Sequence, residues 1–190
     1  FKNDKEALYR AYRERSHIYL NRDEQKNALS DLSMLIKLEP DSTNGYKLRG
    51  NYYYEVGSYK KSNADFREIV QLAPDETTGY MGIGRNLIAL KEYDKAIAEF
   101  NHCMEISPDY SQPYSFRGEA YYLQGKLDEA ANDAFKALEL DYDRKAWDLV
   151  GVLADTIYSK IDSMLTIKHA QDQDNTLWYY LHGMVSENNE

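Results

Sequence analysis

The stretch TTGYMGIGRNLIALKEYDKAIAEFNHCMEISPDY, residues 77–110, decides the fold. Its marks are Tyr80, Gly84, Leu87, Tyr93, Ala96, Phe100 and Pro108. Moved back by 34 residues, the same places hold Tyr46, Gly50, Tyr53, Tyr59, Ser62, Phe66 and Pro74. Moved forward by 34, they hold Tyr114, Gly118, Tyr121, Leu127, Ala130, Ala134 and Tyr142. Two steps back, Tyr12, Ser16, Tyr19, Ala28, Leu32 and Pro40 appear. Self-similarity at one fixed period is the signature of a stacked repeat.

Within one repeat the apolar spacing is helical. Tyr80, Ile83, Gly84 and Leu87 recur at i, i+3, i+4 and i+7, which predicts a helix over roughly Thr78 to Leu90. Ala96, Ile97, Phe100, Cys103 and Met104 predict a second over roughly Tyr93 to Ile106. Lys91-Glu92 make the turn, and Pro108 lies past the second helix because proline cannot continue a helix interior. Gly84 and Ala96 are small where the two helices should cross. No such hairpin can bury its apolar face alone, so each needs neighbours.

These residues resemble the tetratricopeptide repeat: an aromatic, then a Leu-Gly pair, Tyr, Ala, Phe and Pro in order. The resemblance runs from Tyr9 to Asp174 and implies an all-α fold, a right-handed α-solenoid of antiparallel helix pairs with about eleven helices. The expected organisation is a single solenoid over residues 1–190, with repeats at 9–42, 43–76, 77–110 and 111–144. The register then slips: Trp147 follows Tyr114 by 33 residues, and residues 144–174 read as a degenerate fifth repeat. Residues 175–190 read as a cap helix or as the first half of a sixth repeat. Trp178, Tyr179, Tyr180, Leu181, Met184 and Val185 are too apolar all round for a polar cap, which favours the half-repeat. The Asp-Lys-Ala-Ile run at Asp94–Ile97 resembles bacterial members.

Composition narrows the function. The formal net charge of -9 argues against nonspecific binding of nucleic acid or anionic membrane. The longest apolar runs are too short to insert in a membrane. Cys103 is the only cysteine, which excludes an internal disulfide. It falls at a small core position and reads as a buried, inert thiol. The chain begins at Phe1 rather than Met, and the reading is that an N-terminal segment has been removed.

No catalytic constellation stands out. His17, His102, His169 and His182 are scattered, with neither His-Glu-x-x-His nor Cys-x-x-Cys. Asp172 and Asp174 resemble the opening of a calcium loop, but Leu177 occupies the glycine place. The expectation is therefore a protein that is not an enzyme, without cofactor or metal.

The family resemblance implies that the first helices line a concave groove. Carried over by position, the groove residues are Arg10, Arg13, His17, Lys47, Asn51, Tyr54, Met81, Arg85, Glu119 and Tyr122. The cations among them stand out on an acidic chain and point to an acidic or carboxylate-bearing peptide as partner. Arg10 and Arg13 also have Glu6 and Glu14 nearby, the blander alternative of a solvated helix face. Some family members clamp the C-terminal carboxylate of chaperone tails. Lys47 and Asn51 match the start of that clamp, but Gly82, Gln112 and Phe116 replace its other residues, so tail clamping is not expected. Two other readings stand beside the groove. One is an adaptor or spacer part of a larger protein; the other is a homodimer through the apolar C-terminal helix.

Overall fold

A computed structural model describes residues 2–171 and 175–187. These residues form ten helices and no strand. The chain divides into two compact units, residues 1–92 and 93–190, described here separately. The first unit contains α1 (Lys2–Asn21), α2 (Gln25–Leu38), α3 (Thr43–Glu55), α4 (Tyr59–Leu72) and α5 (Thr77–Ala89). The second contains α6 (Tyr93–Ile106), α7 (Ser111–Leu123), α8 (Leu127–Leu140), α9 (Arg144–Gln171) and α10 (Thr176–Glu187). The Asp172 and Asp174 loop lies outside the described residues.

The turns keep the period of the sequence. Asp23, Gly57, Lys91 and Gly125 have φ of 58°, 71°, 61° and 77°, each just after a first helix. The next residue then donates its N–H five residues back: Glu24 to Tyr19 at 2.9 Å, Ser58 to Tyr53 at 2.7 Å, Glu92 to Leu87 at 2.8 Å and Lys126 to Tyr121 at 2.9 Å. This left-handed closure satisfies carbonyls that a helix end leaves unpaired. Glycine adopts it freely at Gly57 and Gly125, whereas Lys91 carries a left-handed penalty of about 1–2 kcal/mol. In α9 no positive φ interrupts the chain. The two helices expected for the fifth repeat run together through a kink at Ile157, where φ is -129° and ψ is 45°.

Close approach of the helices explains the glycines. A Cβ on Gly79 would meet Val70 Cγ2 at 2.6 Å, and one on Gly82 would meet the Phe66 ring at 2.3 Å. Both Phe66 and Ile69 are buried, so α4 seats directly on the backbone of α5. Asn86, fully buried on α5, donates to Ser62 Oγ at 2.9 Å and to Asn63 Oδ1 at 2.7 Å. Ser62 in turn donates to the Gly50 carbonyl at 2.8 Å, which ties α3, α4 and α5 together. In the second unit Ala130, Ala134, Phe135 and Leu138 pack with Leu149, Leu153, Ile161, Trp178 and Leu181. Phe135 and Trp178 stack with centroids 5.9 Å apart.

A charged ladder repeats with the same period. Arg15, Arg49 and Arg117 each form two hydrogen bonds to the aspartate 16 residues on, Asp31, Asp65 and Asp133. All three carboxylates are buried. Arg49 also donates from Nη1 to Ser33 Oγ at 3.1 Å, and Arg117 from Nη1 to Asn101 Oδ1 at 2.6 Å. Each of these two arginines thus joins its own second helix to the second helix of the hairpin before. Burial pushes the Asp133 carboxyl above its ordinary value, while the Arg117 hydrogen bonds pull it back. In the third repeat Ile83 and Glu99 stand at the ladder places, and Arg67 stands where Ser33 and Asn101 stand. An arginine opposite Arg would repel; opposite Ile83 it does not.

Two outcomes follow for stability. Gly82→Ala gains about 1 kcal/mol of helix propensity but must displace the buried Phe66 ring. Overpacking of about 1–3 kcal/mol wins, and chemical denaturation should show net destabilisation. Gly183→Ala, with nothing within 4 Å of its Cβ, should stabilise instead. Arg49→Met leaves Asp65 buried without its cation and should cost about 3–5 kcal/mol. Arg49→Met with Asp65→Leu should recover most of that loss in the same denaturation assay.

Candidate functional site

The expected groove residues fall on first helices, eight in the first unit and two in the second. On α1, Arg10, Arg13 and His17 are exposed. Arg10 lies 3.7 Å from Glu6, and Arg13 lies 2.9 Å from Glu14. On α3, Lys47 is exposed and Asn51 half-buried. Tyr54 and Arg85 are brought together: the Arg85 guanidinium sits 4.5 Å from the Tyr54 ring centroid. The Tyr59 ring meets Tyr54 edge-on at 5.7 Å, so an aromatic and cationic cluster joins α3, α4 and α5. Met81 is 7 % exposed, because α5 is packed on that side, and offers little apolar surface to a ligand.

In the second unit the corresponding face is neutralised from within. Glu119 accepts from Lys145 Nζ at 3.0 Å, and the same ammonium lies 4.6 Å from the Phe116 ring centroid. Ser115 Oγ lies 3.1 Å from Asp143 Oδ2. A cavity of 520 Å³ opens here, lined in part by Gln112, Ser115, Phe116, Asp143 and Lys145. Tyr122 is half-buried against the core of the unit. Lys145 was not among the expected groove residues. The slipped register contains the signal: 33 residues before Lys145 stands Gln112, on the first helix of the fourth repeat.

The arrangement is suited to holding a ligand by charge and by ring faces. Among the described residues, no group of three or more His, Cys, Asp and Glu is placed to hold a metal ion. No described helix is long and apolar enough to cross a membrane. Cys103 is buried, and burial followed by the charge of Glu99 pushes its thiol up to about 12. Below that value the thiolate is scarcely populated in the folded chain. Ellman's reagent at mildly alkaline pH should therefore react with Cys103 only after a denaturant is added. Rapid reaction of the native protein would contradict this placement.

A search of curated proteins finds no match to this sequence. The tetratricopeptide repeat family profile matches residues 77–110. Among solved structures, MamA 41-end from Desulfovibrio magneticus RS-1 is 19% identical with a TM-score of 0.66, over 95% of this chain and 94% of that one. A tetratricopeptide repeat protein from Parabacteroides merdae is 18% identical with a TM-score of 0.65, over 92% of this chain and 70% of that one. The first TPR of Spaghetti (RPAP3), bound to the HSP90 peptide SRMEEVD, is 22% identical with a TM-score of 0.57. It covers 61% of this chain and 93% of its own. Residues 77–110 thus carry a tetratricopeptide repeat, and the helix hairpins share the fold of these solenoids.

Proposed function

We propose that this protein is a non-enzymatic interaction scaffold that binds an acidic or carboxylate-bearing peptide segment on the first-helix face of residues 1–92. The supporting observation is the placement of Arg10, Arg13, His17 and Lys47, all exposed, on a chain whose net charge is -9. The Glu6 and Glu14 carboxylates beside Arg10 and Arg13 do not close this face. Exposed ion pairs of that kind contribute about 0–1 kcal/mol, so a ligand carboxylate can displace them. The Tyr54 ring beneath Arg85 supplies a flat, partly apolar surface in the same unit. Clustered cations are a recurring means of acidic-motif recognition. The peptide seen on the RPAP3 repeat is itself acidic, which agrees with this reading.

The test is fluorescence anisotropy with a labelled peptide rich in Glu and ending in a free carboxylate, alongside its amidated form. Arg13→Glu combined with Lys47→Glu should weaken capture by about tenfold or more, and added salt should weaken the wild type in the same direction. Both substitutions are on exposed side chains, and circular dichroism checks that the helices persist. Binding that is equal in wild type and variant would overturn the proposal.

A further inference from the structure

The charge of this chain is shared unevenly between its units. Residues 1–92 carry 15 Lys and Arg against 14 Asp and Glu, whereas residues 93–190 carry 8 against 18. The second unit therefore holds the negative excess, and its field attracts cations. The 520 Å³ cavity of this unit lies where the repeat departs from its period, between the α6–α7 link and the α8–α9 link. The α2–α3, α4–α5 and α6–α7 links each hold four residues and close with a turn: Ser42 N–H donates to Glu39, Glu76 to Ala73 and Tyr110 to Ser107. The α8–α9 link holds three residues, with Tyr142 where Pro40, Pro74 and Pro108 stand. Asp141 is extended there, with φ of -164° and ψ of 161°, and no equivalent turn bond forms among the described residues.

The lining keeps an acidic excess after its own ion pairs are made. Two cations line the cavity, and both are engaged. Arg144 Nε donates to Asp148 at 2.9 Å, with the Tyr142 hydroxyl beside it. Lys145 Nζ donates to Glu119 at 3.0 Å and lies 4.6 Å from the Phe116 ring centroid. Asp143 meets only neutral donors, Ser115 Oγ and the Ala146 N–H, and so offsets the positive start of α9. Asp109 and Asp141 are exposed on the rim, and neither is paired with a cation among the described residues. Asp141 accepts only from the N–H of Tyr142 next to it, at 2.7 Å. The Tyr142 ring is 58% exposed and rests against Trp147, with centroids 6.2 Å apart. Elsewhere in the unit the chain seats its own cations on such a combination of ring and carboxylate. The Arg117 guanidinium, bonded to Asp133, lies 5.9 Å from the Tyr114 ring and 5.7 Å from the Tyr121 ring. Lys145 does the same with Glu119 and Phe116. At the rim the ring and the carboxylates are present and the cation is not supplied by the described residues.

We propose that this cavity receives an arginine side chain from a basic peptide segment of a partner protein, held by Asp109 and Asp141 against the Tyr142 ring. A guanidinium suits the place better than an ammonium. Its planar fork can donate to carboxylates on two links at once and stack on a ring, whereas an ammonium is a strongly hydrated point charge. A metal ion is not the ligand, because these carboxylates are not grouped closely enough to hold one. The rest of the segment meets a surface of one sign, since the acidic excess extends over the whole unit. The site lies within residues 93–190 and takes the charge opposite to that bound by the basic face of residues 1–92.

The experiment uses the full chain and a labelled, acetylated and amidated peptide of alternating Gly and Arg, with Lys and Glu versions beside it. It is run at about 0.15 M salt, where the Debye length of about 8 Å suppresses diffuse attraction. Anisotropy should show saturable binding of the Arg peptide, weaker binding of the Lys peptide and none of the Glu peptide. Asp109→Asn with Asp141→Asn should weaken the Arg peptide about fivefold or more. Glu129→Gln with Asp155→Asn removes the same charge from exposed positions outside the cavity and should leave binding nearly unchanged. Arg13→Glu with Lys47→Glu should not weaken it either, which separates this site from the basic face of residues 1–92. All variants are at exposed side chains and are checked for native helicity. Failure of the Arg peptide to bind, or equal binding of the Lys peptide, overturns the proposal. So does equal weakening by the two acidic pairs, since attraction would then be diffuse rather than seated in the cavity.

Discussion

A first helix such as α3 or α7 is covered on two sides, by its own second helix and by the second helix of the hairpin before. The arginine ladder shows how both contacts are held at once. One guanidinium is planar, with donors fixed in a fork, so a carboxylate 16 residues on fixes the hairpin while Nη1 reaches back to the neighbouring hairpin. A lysine, with a point charge on a flexible stem, would not set both distances together. The helices around each rung can approach because small residues stand beside it: a Cβ on Gly50 would lie 3.4 Å from Asp65 Cβ, and one on Gly118 would lie 3.3 Å from Asp133 Cβ.

Such pairs do not stabilise simply by being ionic. The burial that pushes Asp133 upward outweighs the Arg117 hydrogen bonds that pull it down. What the rung supplies is register, because a hairpin slid by one turn would strand a buried carboxylate. The third repeat shows the alternative. Ile83 replaces the arginine, and the buried Asn86, Ser62 and Asn63 network takes over the alignment of α5 on α4. Neutral amides do the same geometric work without a desolvated charge, though Asn86 Oδ1 has no partner among the described residues.

The same period that builds the stack also separates its surfaces. Groove positions and stacking positions lie on different sides of each first helix, so α1 presents a basic side with Arg10, Arg13 and His17 and a distinct side with Ala11, Arg15 and Ile18. In the second unit Lys145 neutralises Glu119 and stacks on Phe116, so charge there is satisfied within the chain. The two units therefore differ in what they offer a ligand, although their helices follow one pattern.

The repeat period and, within residues 77–110, the helix bounds to a residue or so and the turn position were legible in the sequence, because each depends on residues close in the chain. Helical spacing, proline past Ile106 and glycine at Gly57 and Gly125 act locally. Cys103 was also legible, as its place in the apolar stripe is enough to bury it. The columns Arg15, Arg49, Arg117 and Asp31, Asp65, Asp133 were equally visible, but a spacing of 16 matches no helical neighbour, and only the fold-back of the second helix joins them. Likewise, nothing local told Met81, 7% exposed, from the exposed Lys47, or joined Lys145 to Glu119 across a slipped register. By itself the sequence determined which segments become helices and where they turn, since backbone preference and apolar period are near-neighbour properties. Only the tertiary structure decided which charges meet and which side chains are buried, since both depend on what packs against a helix from far along the chain.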